Sequence, residues 1–566
     1  MMTISRALRG YTPLQAFIMA MVFTLLAILV LYPTAVLLLG SLKTGPPSDP
    51  GAAYGVEHYG LLFQRLHLVW NSLLIGVGAT VASSILGVAL AWMTTRTNMP
   101  GRRTFESLII LPFYITPILG AVAWSVLLGP NKGLVNIWLL GPLGLPRVDV
   151  LTPQGIIWVM AIYYAPFTFL FCAGALKSMD PSLEESSQVM GATKWQTAWK
   201  ITLPLVMPAI LGGALLVFVL AMGNFAIPEV LGTPRKFFVV TTAIYFAKAE
   251  YPEKMAAASA MGVSLFFFTA VGVYVQSRIL RGKAYTTVTG KGYRPRLIDM
   301  KGLRWVLMAC CTLYVLVSVV LPVGTLLWGS FMRFLTPELE RMRWTLDNYL
   351  YVLWRYPMGR QAIVNSLLLA FVGATLMMLM AGVVSWTIHR TRIPGRKLME
   401  YIAMVPISIP GIVFALGLLW AWINVPIGLY GTLWIFLICY LTIFMPFGVK
   451  STSATIVQID RSLEENARVI GASWLRTLRS ITFPLLRPGL LAGWTLLFII
   501  FMRELNASIL IYTGRNPVLS VAIYDLFYDG EIAFLCALAM VQVVITFLIL
   551  LAITKLGKAE LTLAGG

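Results

Sequence analysis

Two charged segments with the same residue types at the same spacing interrupt an otherwise apolar chain. They lie 280 residues apart, and 16 of 34 positions are identical between residues 180–213 and 460–493. Carboxylates, a glycine and a proline do not form a catalytic set, but at fixed spacing they can shape a surface on which a partner docks. The residues that carry the pattern are Glu184, Glu185, Gly191 and Pro204 in the first copy and Glu464, Glu465, Gly471 and Pro484 in the second. We call residues 180–204 and 460–484 the repeated loops.

The local sequence of each repeated loop predicts a helix–turn–helix at a membrane surface. Asp180 and Ser182 are favourable N-caps, and the glutamates fall in the first turn, where the helix dipole stabilises anions. Gly191 is expected to end the first helix, since glycine adopts left-handed conformations freely. Pro204 is expected to mark the start of the next apolar segment. An amphipathic helix in the lipid headgroups is the alternative, but it does not explain why the same positions recur in both copies.

The composition of the chain requires a lipid environment. Of its 566 residues 58% are hydrophobic and only 12% are charged, with a mean hydropathy of +0.82, whereas soluble domains carry about 25% charged residues. Long apolar segments are expected to be helical, because backbone groups in hydrocarbon must bond internally. Twelve segments approach the roughly 20 apolar residues that a spanning helix needs, near 14–41, 71–95, 105–128, 155–177, 204–230, 257–280, 304–330, 365–388, 399–423, 431–452, 484–512 and 533–554.

Basic residues set the expected orientation in the membrane. We attribute the net charge of +20 to cytoplasmic loops rather than to nucleic-acid binding, because such loops are rich in Lys and Arg. Residues 277–304 and the loops "RTNMPGRR" and "HRTRIPGRK" are basic, which places both termini in the cytoplasm. The three scattered histidines have no metal-ligand spacing, so no metal site is expected.

Internal repetition divides the chain into two halves with six apolar segments each. Upstream of the repeated loops the halves align at an offset of 294, where Asn71-Ser-Leu-Leu matches Asn365-Ser-Leu-Leu. Both asparagines start a segment and are expected to cap its helix. An even number of spans gives both halves the same orientation, so the repeats are parallel. We therefore predict an all-α polytopic membrane protein with a first unit at 1–280, a basic linker at 281–303 and a second unit at 304–566.

Both repeated loops resemble the cytoplasmic "EAA" loop of type I ATP-binding-cassette (ABC) importer permeases, which reads E-A-A-x3-G-x9-I-x-L-P. The first copy reads E-S-S from Glu185, a glycine at 191 and I-T-L-P ending at Pro204. The second reads E-N-A from Glu465, a glycine at 471 and I-T-F-P ending at Pro484. The departures are Ser, Ser and Asn for alanine and Phe for leucine. The resemblance covers roughly residues 60–280 and 350–554, and fused pairs of this kind are typical of ferric-iron-type permeases, which thiamine permeases resemble.

The resemblance implies a type I permease fold and a division of labour between subunits. The repeated loops would be coupling helices that dock on two ABC ATPase subunits, and a periplasmic binding protein would deliver the solute to the bacterial inner membrane. The chain itself would hold no cofactor, with ATP and Mg²⁺ bound by the partner. A Walker A sequence does not occur; the nearest string, "YTTVTGKGY", lacks the first glycine and the final Ser or Thr. The fused architecture favours ferric iron as the solute, with thiamine, a polyamine or a phosphonate as alternatives.

Polar residues inside the apolar segments are the candidates for the solute pathway, because such residues usually face protein or an aqueous cavity. A structural ion pair is the alternative for two of them, the adjacent Arg503 and Glu504. A secondary transporter that uses such residues for ion coupling is the alternative function, and a membrane scaffold would not need paired halves. The candidates are Asn224 and Glu229 in the first half and Arg503, Glu504, Asn506 and Ser508 in the second.

Overall fold

The computed structural model describes residues 13–45, 49, 51–249, 254–280, 297–391, 395–423 and 425–557. Within these ranges the secondary structure is helical apart from three isolated β-bridges. Nine helices of the described chain are long and apolar enough to cross a membrane, and the number rises to twelve when each of three bent helix pairs counts as one span. The all-α fold and the count of about twelve are confirmed. Most of the predicted linker, residues 281–296, lies outside the described residues.

We number the spans in chain order. The first half contains span 1 (Phe17–Gly40), span 2 (Leu66–Arg96), span 3 (Arg102–Tyr114 with Pro117–Leu128), span 4 (Pro153–Ser178), span 5 (Trp195–Met222) and span 6 (Ala256–Ile279). The second half contains span 7 (Leu303–Ser330), span 8 (Pro357–Arg390), span 9 (Arg396–Ser408 with Gly411–Ile423), span 10 (Leu433–Ile443 with Met445–Gln458), span 11 (Arg479–Met502) and span 12 (Ile532–Ile553).

The three bent spans turn at prolines. Span 3 bends by 94° before Pro117, span 9 by 112° at Pro410 and span 10 by 50° before Pro446. Proline lacks the N–H of a helical hydrogen bond and disfavours helical dihedrals in the residue before it. Thr116 and Ile409 accordingly have extended backbones, with ψ of 136° and 121°.

The first span of the chain packs on the opposite half. The part of span 1 from Tyr32 to Gly40 packs against Gly411–Ile423 of span 9, and the Tyr32 hydroxyl donates to the Ala421 carbonyl at 3.1 Å. Gly417 permits this approach, because a Cβ at that position would lie 2.9 Å from the Pro33 carbonyl oxygen. Small residues allow membrane helices to approach closely in this way.

The first span of the second half makes the reciprocal contact. In span 7, the Tyr314 hydroxyl donates to the Ile162 carbonyl of span 4 at 3.0 Å, and Cys311 contacts Met93 of span 2. Each half therefore holds the first span of the other, an exchange that the order of segments along the chain does not reveal.

Spans 5 and 11 lead from the repeated loops to the opposite end of the molecule, which we call the far end. We predicted that residues 204–230 and 484–512 each form one span. This was wrong, because spans 5 and 11 end at Met222 and Met502. Two short buried helices follow, Ala226–Gly232 and Ser508–Ile511, which we call the connecting helices. After them come two far-end helices, Val240–Ala249 and Leu519–Tyr528, before spans 6 and 12 return.

Candidate functional site

Each repeated loop begins with a short helix capped by an aspartate. The helices are Pro181–Val189 and Arg461–Val469. Asp180 Oδ1 accepts from the Ser182 amide at 2.9 Å, and Asp460 Oδ1 accepts from the Ser462 amide at the same distance. These amide hydrogen bonds favour the carboxylate and hold the pKa of Asp460 below its usual value. The predicted N-cap is confirmed at Asp180.

Glycine ends this helix in a left-handed conformation in both loops. Gly191 has φ +89° and Gly471 has φ +87°. In the first copy the Gly191 amide donates to the Gln188 carbonyl at 3.0 Å and the Ala192 amide donates to the Ser187 carbonyl at 3.1 Å, which is a Schellman motif. Nothing lies within 4 Å of a Cβ built at either glycine, so the need for glycine comes from the backbone alone. The predicted helix break is confirmed.

Pro204 lies within a continuous helix rather than at the start of a span. Span 5 begins at Trp195, and a π-helical turn at Ala198–Thr202 precedes the segment that contains Pro204 at its second position. In the second copy, Pro484 takes the same position in Phe483–Met502 after the π-helical turn Leu478–Thr482. The prediction of a separate second helix in the first loop was wrong, because the π-helical turn joins that helix to the span and makes one continuous helix.

Glu184 is buried and binds this chain's own residues. Its Oε1 accepts from the Thr202 hydroxyl at 2.6 Å, and its Oε2 lies 3.5 Å from Nη1 of Arg96. The Arg96 side chain is only 1% exposed. This ion pair lies inside the chain and ties the loop to the end of span 2.

The second copy repeats this connection. Glu464 Oε1 accepts from the Thr482 hydroxyl at 3.2 Å and lies 3.4 Å from Nε of Arg390 at the end of span 8. Arg390 also donates to the carbonyls of Ile456 and Ile459, at 3.0 and 2.6 Å. Each loop is therefore fixed to its own half by a buried ion pair, and Arg390 also binds the chain just before the second loop.

The sequence contained signals for these partners that we did not use. Arg96 and Arg390 correspond at the offset of 294 and lie in the two basic loops quoted above. Thr202 and Thr482 are identical positions at the offset of 280. A buried glutamate needs a partner. The arginine and the threonine that match between the halves at these two offsets are the candidates in each half.

An apolar surface lies at the tip of each repeated loop. Val189 and Met190 are 88% and 90% exposed, and Val469 and Ile470 are 84% and 85% exposed. Glu185 and Glu465 are exposed on the same short helices. Large apolar side chains that protrude together from a surface mark an interaction site. We call the pairs 189–190 and 469–470 the loop tips; the coupling role of all eight motif residues stays a prediction.

Asn224 and Glu504 occupy equivalent positions, and each accepts a hydrogen bond from a backbone amide near the start of a connecting helix. Asn224 Oδ1 accepts from the Ile227 amide at 2.9 Å, and Glu504 Oε1 accepts from the Ala507 amide at 2.7 Å. Asn224 also donates to the hydroxyl of Tyr164, near the middle of span 4, at 2.7 Å. These residues therefore shape the segments that follow spans 5 and 11, and their contact with a solute stays a prediction.

Arg503 and Asn506 bind the first half across the interface. The Arg503 guanidinium donates to the Phe113 carbonyl and lies 4.2 Å from the centroid of the Phe113 ring. Asn506 Oδ1 accepts from the Phe225 amide at 2.9 Å. The Arg503 contact joins the region after span 11 to the bend of span 3, and the Asn506 contact joins it to the first connecting helix. A shift of one half relative to the other therefore changes both contacts.

Glu229 is the third pathway candidate that contacts the opposite half. It is only 4% exposed and accepts from the Thr233 hydroxyl at 3.0 Å and from the Tyr524 hydroxyl of the second half at 3.3 Å. Ser508 hydrogen-bonds within its own half, to the hydroxyl of Tyr440 at 2.7 Å. Three of the six pathway candidates therefore contact the opposite half, which is where a pathway between parallel repeats is expected.

The matching asparagines hold the far-end helices rather than cap a span. Asn71 donates to the Phe238 carbonyl at 2.8 Å, and Asn365 donates to the Pro517 carbonyl at 2.7 Å. The next residues continue the pattern, since the Val240 amide donates to Ser72 at 2.9 Å and the Leu519 amide donates to Ser366 at 2.7 Å. The predicted cap was wrong because both asparagines lie inside spans 2 and 8.

A family comparison agrees with this two-unit arrangement. Residues 83–284 and 378–557 each match the model of the family described as binding-protein-dependent transport system inner membrane component. The chain belongs to this family. The two matches within one chain confirm the predicted identity as a type I ABC importer permease with two fused units.

Named relatives of this permease differ in how much of the chain they match. It is 28% identical over 543 residues to the ferric transport system permease protein FbpB of Actinobacillus pleuropneumoniae, covering 94% of this chain and 76% of that protein. It is 29% identical over 273 residues to the spermidine/putrescine transport system permease protein PotB of Haemophilus influenzae, covering 47% and 94%. It is 34% identical over 201 residues to the putative 2-aminoethylphosphonate transport system permease protein PhnV of Salmonella typhimurium, covering 35% and 74%.

Proposed function

We propose that this permease carries ferric iron across the bacterial inner membrane and that two ATPase subunits drive it through the repeated loops. A periplasmic binding protein delivers the iron to the far end, and both termini lie with the loops in the cytoplasm. The observation that carries the proposal is the pair of loop tips, each apolar, exposed and backed by a buried Glu–Arg pair. A motor with two equal subunits needs two equal docking sites on its membrane partner.

A helical connection from each loop tip toward the proposed pathway supports this role. Glu184 joins the loop to Arg96 of span 2 and to Thr202 of span 5. Span 5 then runs as a helix from Trp195 to Met222, shortly before Asn224 and the first connecting helix. A displacement of the tip therefore moves the far-end segments as well, because a helix transmits motion along its axis. This link couples closure of the ATPase dimer to opening of the pathway.

The extent of each match supports ferric iron over the other solutes. The ferric relative matches 94% of the chain, whereas the polyamine and phosphonate relatives match 47% and 35%. The ferric transport permease is therefore a relative with the same fused architecture, whereas each of the other two relatives matches about one unit of this chain. Membership in a binding-protein-dependent family argues against the secondary transporter, which needs neither a binding protein nor an ATPase.

Co-purification tests this assignment. The tagged chain is expressed with its chromosomal neighbours, purified in mild detergent and analysed by mass spectrometry with stoichiometry. We expect two ATPase copies per chain and a binding protein that takes up ferric iron in preference to thiamine, spermidine or 2-aminoethylphosphonate. A chain that purifies alone and moves solute without ATP would contradict the importer assignment, and a binding protein selective for another solute would contradict iron.

A further inference from the structure

A tyrosine from each half meets its repeat equivalent between the halves. Tyr245 and Tyr524 each end an Ala-Ile-Tyr sequence. Tyr245 lies five positions after Val240, which binds Ser72, and Tyr524 lies five positions after Leu519, which binds Ser366. Their ring centroids lie 5.7 Å apart, edge to face. Equivalent residues of two related halves touch only where the axis between the halves passes, so this pair marks that axis at the far end.

A carboxylate binds one of the two phenols at this point. Glu229, the buried pathway candidate, accepts a hydrogen bond from the Tyr524 hydroxyl. The ring of Phe225 packs on both tyrosines, with centroids 4.9 Å from Tyr245 and 5.6 Å from Tyr524. Tyr524 is 1% exposed. Two phenol groups and one carboxyl group therefore converge on the axis along which a solute must pass.

Further oxygen groups lead from this cluster to the surface of the far end. Tyr528 and Asp529 are exposed, and Asp525 and Tyr245 are partly exposed. The ring of Tyr528 lies 6.4 Å from that of Tyr524. The ammonium group of Lys248, one turn after Tyr245, is bound to the carbonyls of Leu510 and Ile509 at 2.5 and 3.4 Å. The series of phenols and carboxyls thus runs from water to the buried pair.

We propose that Tyr245, Tyr524 and Glu229 form a transit site for a hard multivalent cation on the pathway axis. The proposal rests on the proposed iron transport and names the residues that would receive the ion. Hard cations prefer oxygen ligands. When the ion binds, each phenol releases its proton to water and binds through the phenolate oxygen, while Glu229 binds through its carboxylate.

The small number of ligands suits passage rather than storage. Within the described residues, no group of three or more His, Cys, Asp or Glu side chains could hold a metal ion. Conduction needs a site that is favourable enough for entry and weak enough for release. Two phenols and one carboxyl do not complete the coordination of a metal ion, so they meet this condition better than a complete set of ligands would.

Absorption spectroscopy with ferric citrate tests the site directly. Iron bound to phenolate has a visible charge-transfer absorption that iron bound to carboxylates alone lacks. We expect this absorption when ferric citrate is added to the purified full-length chain, and we expect its loss in the double variant Tyr245→Phe/Tyr524→Phe. Phenylalanine keeps the ring packing, so the variant should fold. Tyr349→Phe is the matched control, because its hydroxyl binds Ser330 outside this cluster.

Uptake measured alongside separates this proposal from the proposed function. In vesicles that contain the complete complex, we expect the double variant and Glu229→Gln to lower iron uptake at least tenfold while ATP hydrolysis continues. Absorption that is absent in the wild type, or equal in the wild type and the double variant, would overturn the transit site even if iron is taken up. A wild type that shows the absorption but does not take up iron would overturn the proposed function and leave the transit site standing.

Discussion

At the scale of the residue, the two glutamates of each loop divide their work. Glu184 lies behind the loop surface against Arg96, whereas the adjacent Glu185 is exposed on the same helix. Removing one partner of a buried ion pair leaves an uncompensated charge, which costs about 3 kcal/mol or more. An exposed carboxylate contributes far less to stability.

Glu184→Gln should therefore lower the thermal stability of the purified chain, and Glu185→Gln should not. We expect Glu184→Gln to destabilise the loop by about 3 kcal/mol, because Arg96 loses its counter-charge. The unfolding temperature of both variants in detergent measures the difference. Equal unfolding temperatures would contradict the anchoring role of Glu184.

Gly191→Ala should uncouple ATP hydrolysis from uptake. A left-handed conformation costs a residue with a Cβ about 1–2 kcal/mol, so the variant loop is expected to abandon the geometry that φ +89° gives it. Uptake per ATP hydrolysed in proteoliposomes is the measurement. Gly382→Ala is the control, because Gly382 lies within span 8 with nothing within 4 Å of an added Cβ; normal coupling in Gly191→Ala would contradict the prediction.

At the scale of the element, hydropathy predicts the spans well and their ends poorly. A long apolar segment can be recognised from the local sequence alone, so the twelve segments were predicted. The breaks after Met222 and Met502 were missed because apolar residues continue beyond them, in Ala226–Gly232 and Ser508–Ile511. The repeated loops were predicted in most detail, since their pattern is local. The ion-pair partner of Glu184, Arg96, comes from span 2 and could be found only by comparing the halves.

Exchange of the first spans cannot be predicted from local pattern, because it is a contact between segments far apart in the chain. Gly417→Leu should disrupt it, since a Cβ there already meets the Pro33 carbonyl and the Leu37 side chain at 2.9 Å. Overpacking of this kind costs about 1–3 kcal/mol, which should appear as a lower unfolding temperature. Gly324→Leu in span 7, with open space around an added Cβ, is the control. A Gly417→Leu chain as stable as Gly324→Leu would contradict the close packing.

At the scale of the whole molecule, two halves with the same orientation present two docking tips and one axis. The tips are similar in exposure and in apolar character. The contacts near the axis are not equivalent, because Arg503 and Glu504 stand where the first half has Gly223 and Asn224. In the proposed transporter, the similar tips suit a motor with two equal subunits, whereas the residues near the axis differ between the halves.

Both tips should be needed for transport. Met190→Glu and Ile470→Glu should each reduce ATP-driven uptake at least tenfold, because a charge in either apolar contact weakens docking of one ATPase and the motor works as a dimer. Val56→Glu, which changes an exposed apolar residue outside the loops, should leave uptake unchanged. Full uptake in either tip variant would show that one loop suffices.

Uptake of radiolabelled ferric iron into proteoliposomes tests the central claim most directly. The vesicles contain this chain with the ATPase and binding protein that co-purify with it. We predict iron accumulation that requires ATP and the binding protein and that is lost when both loop tips carry glutamate. Iron accumulation without ATP, or unchanged accumulation in the double tip variant, would contradict the account.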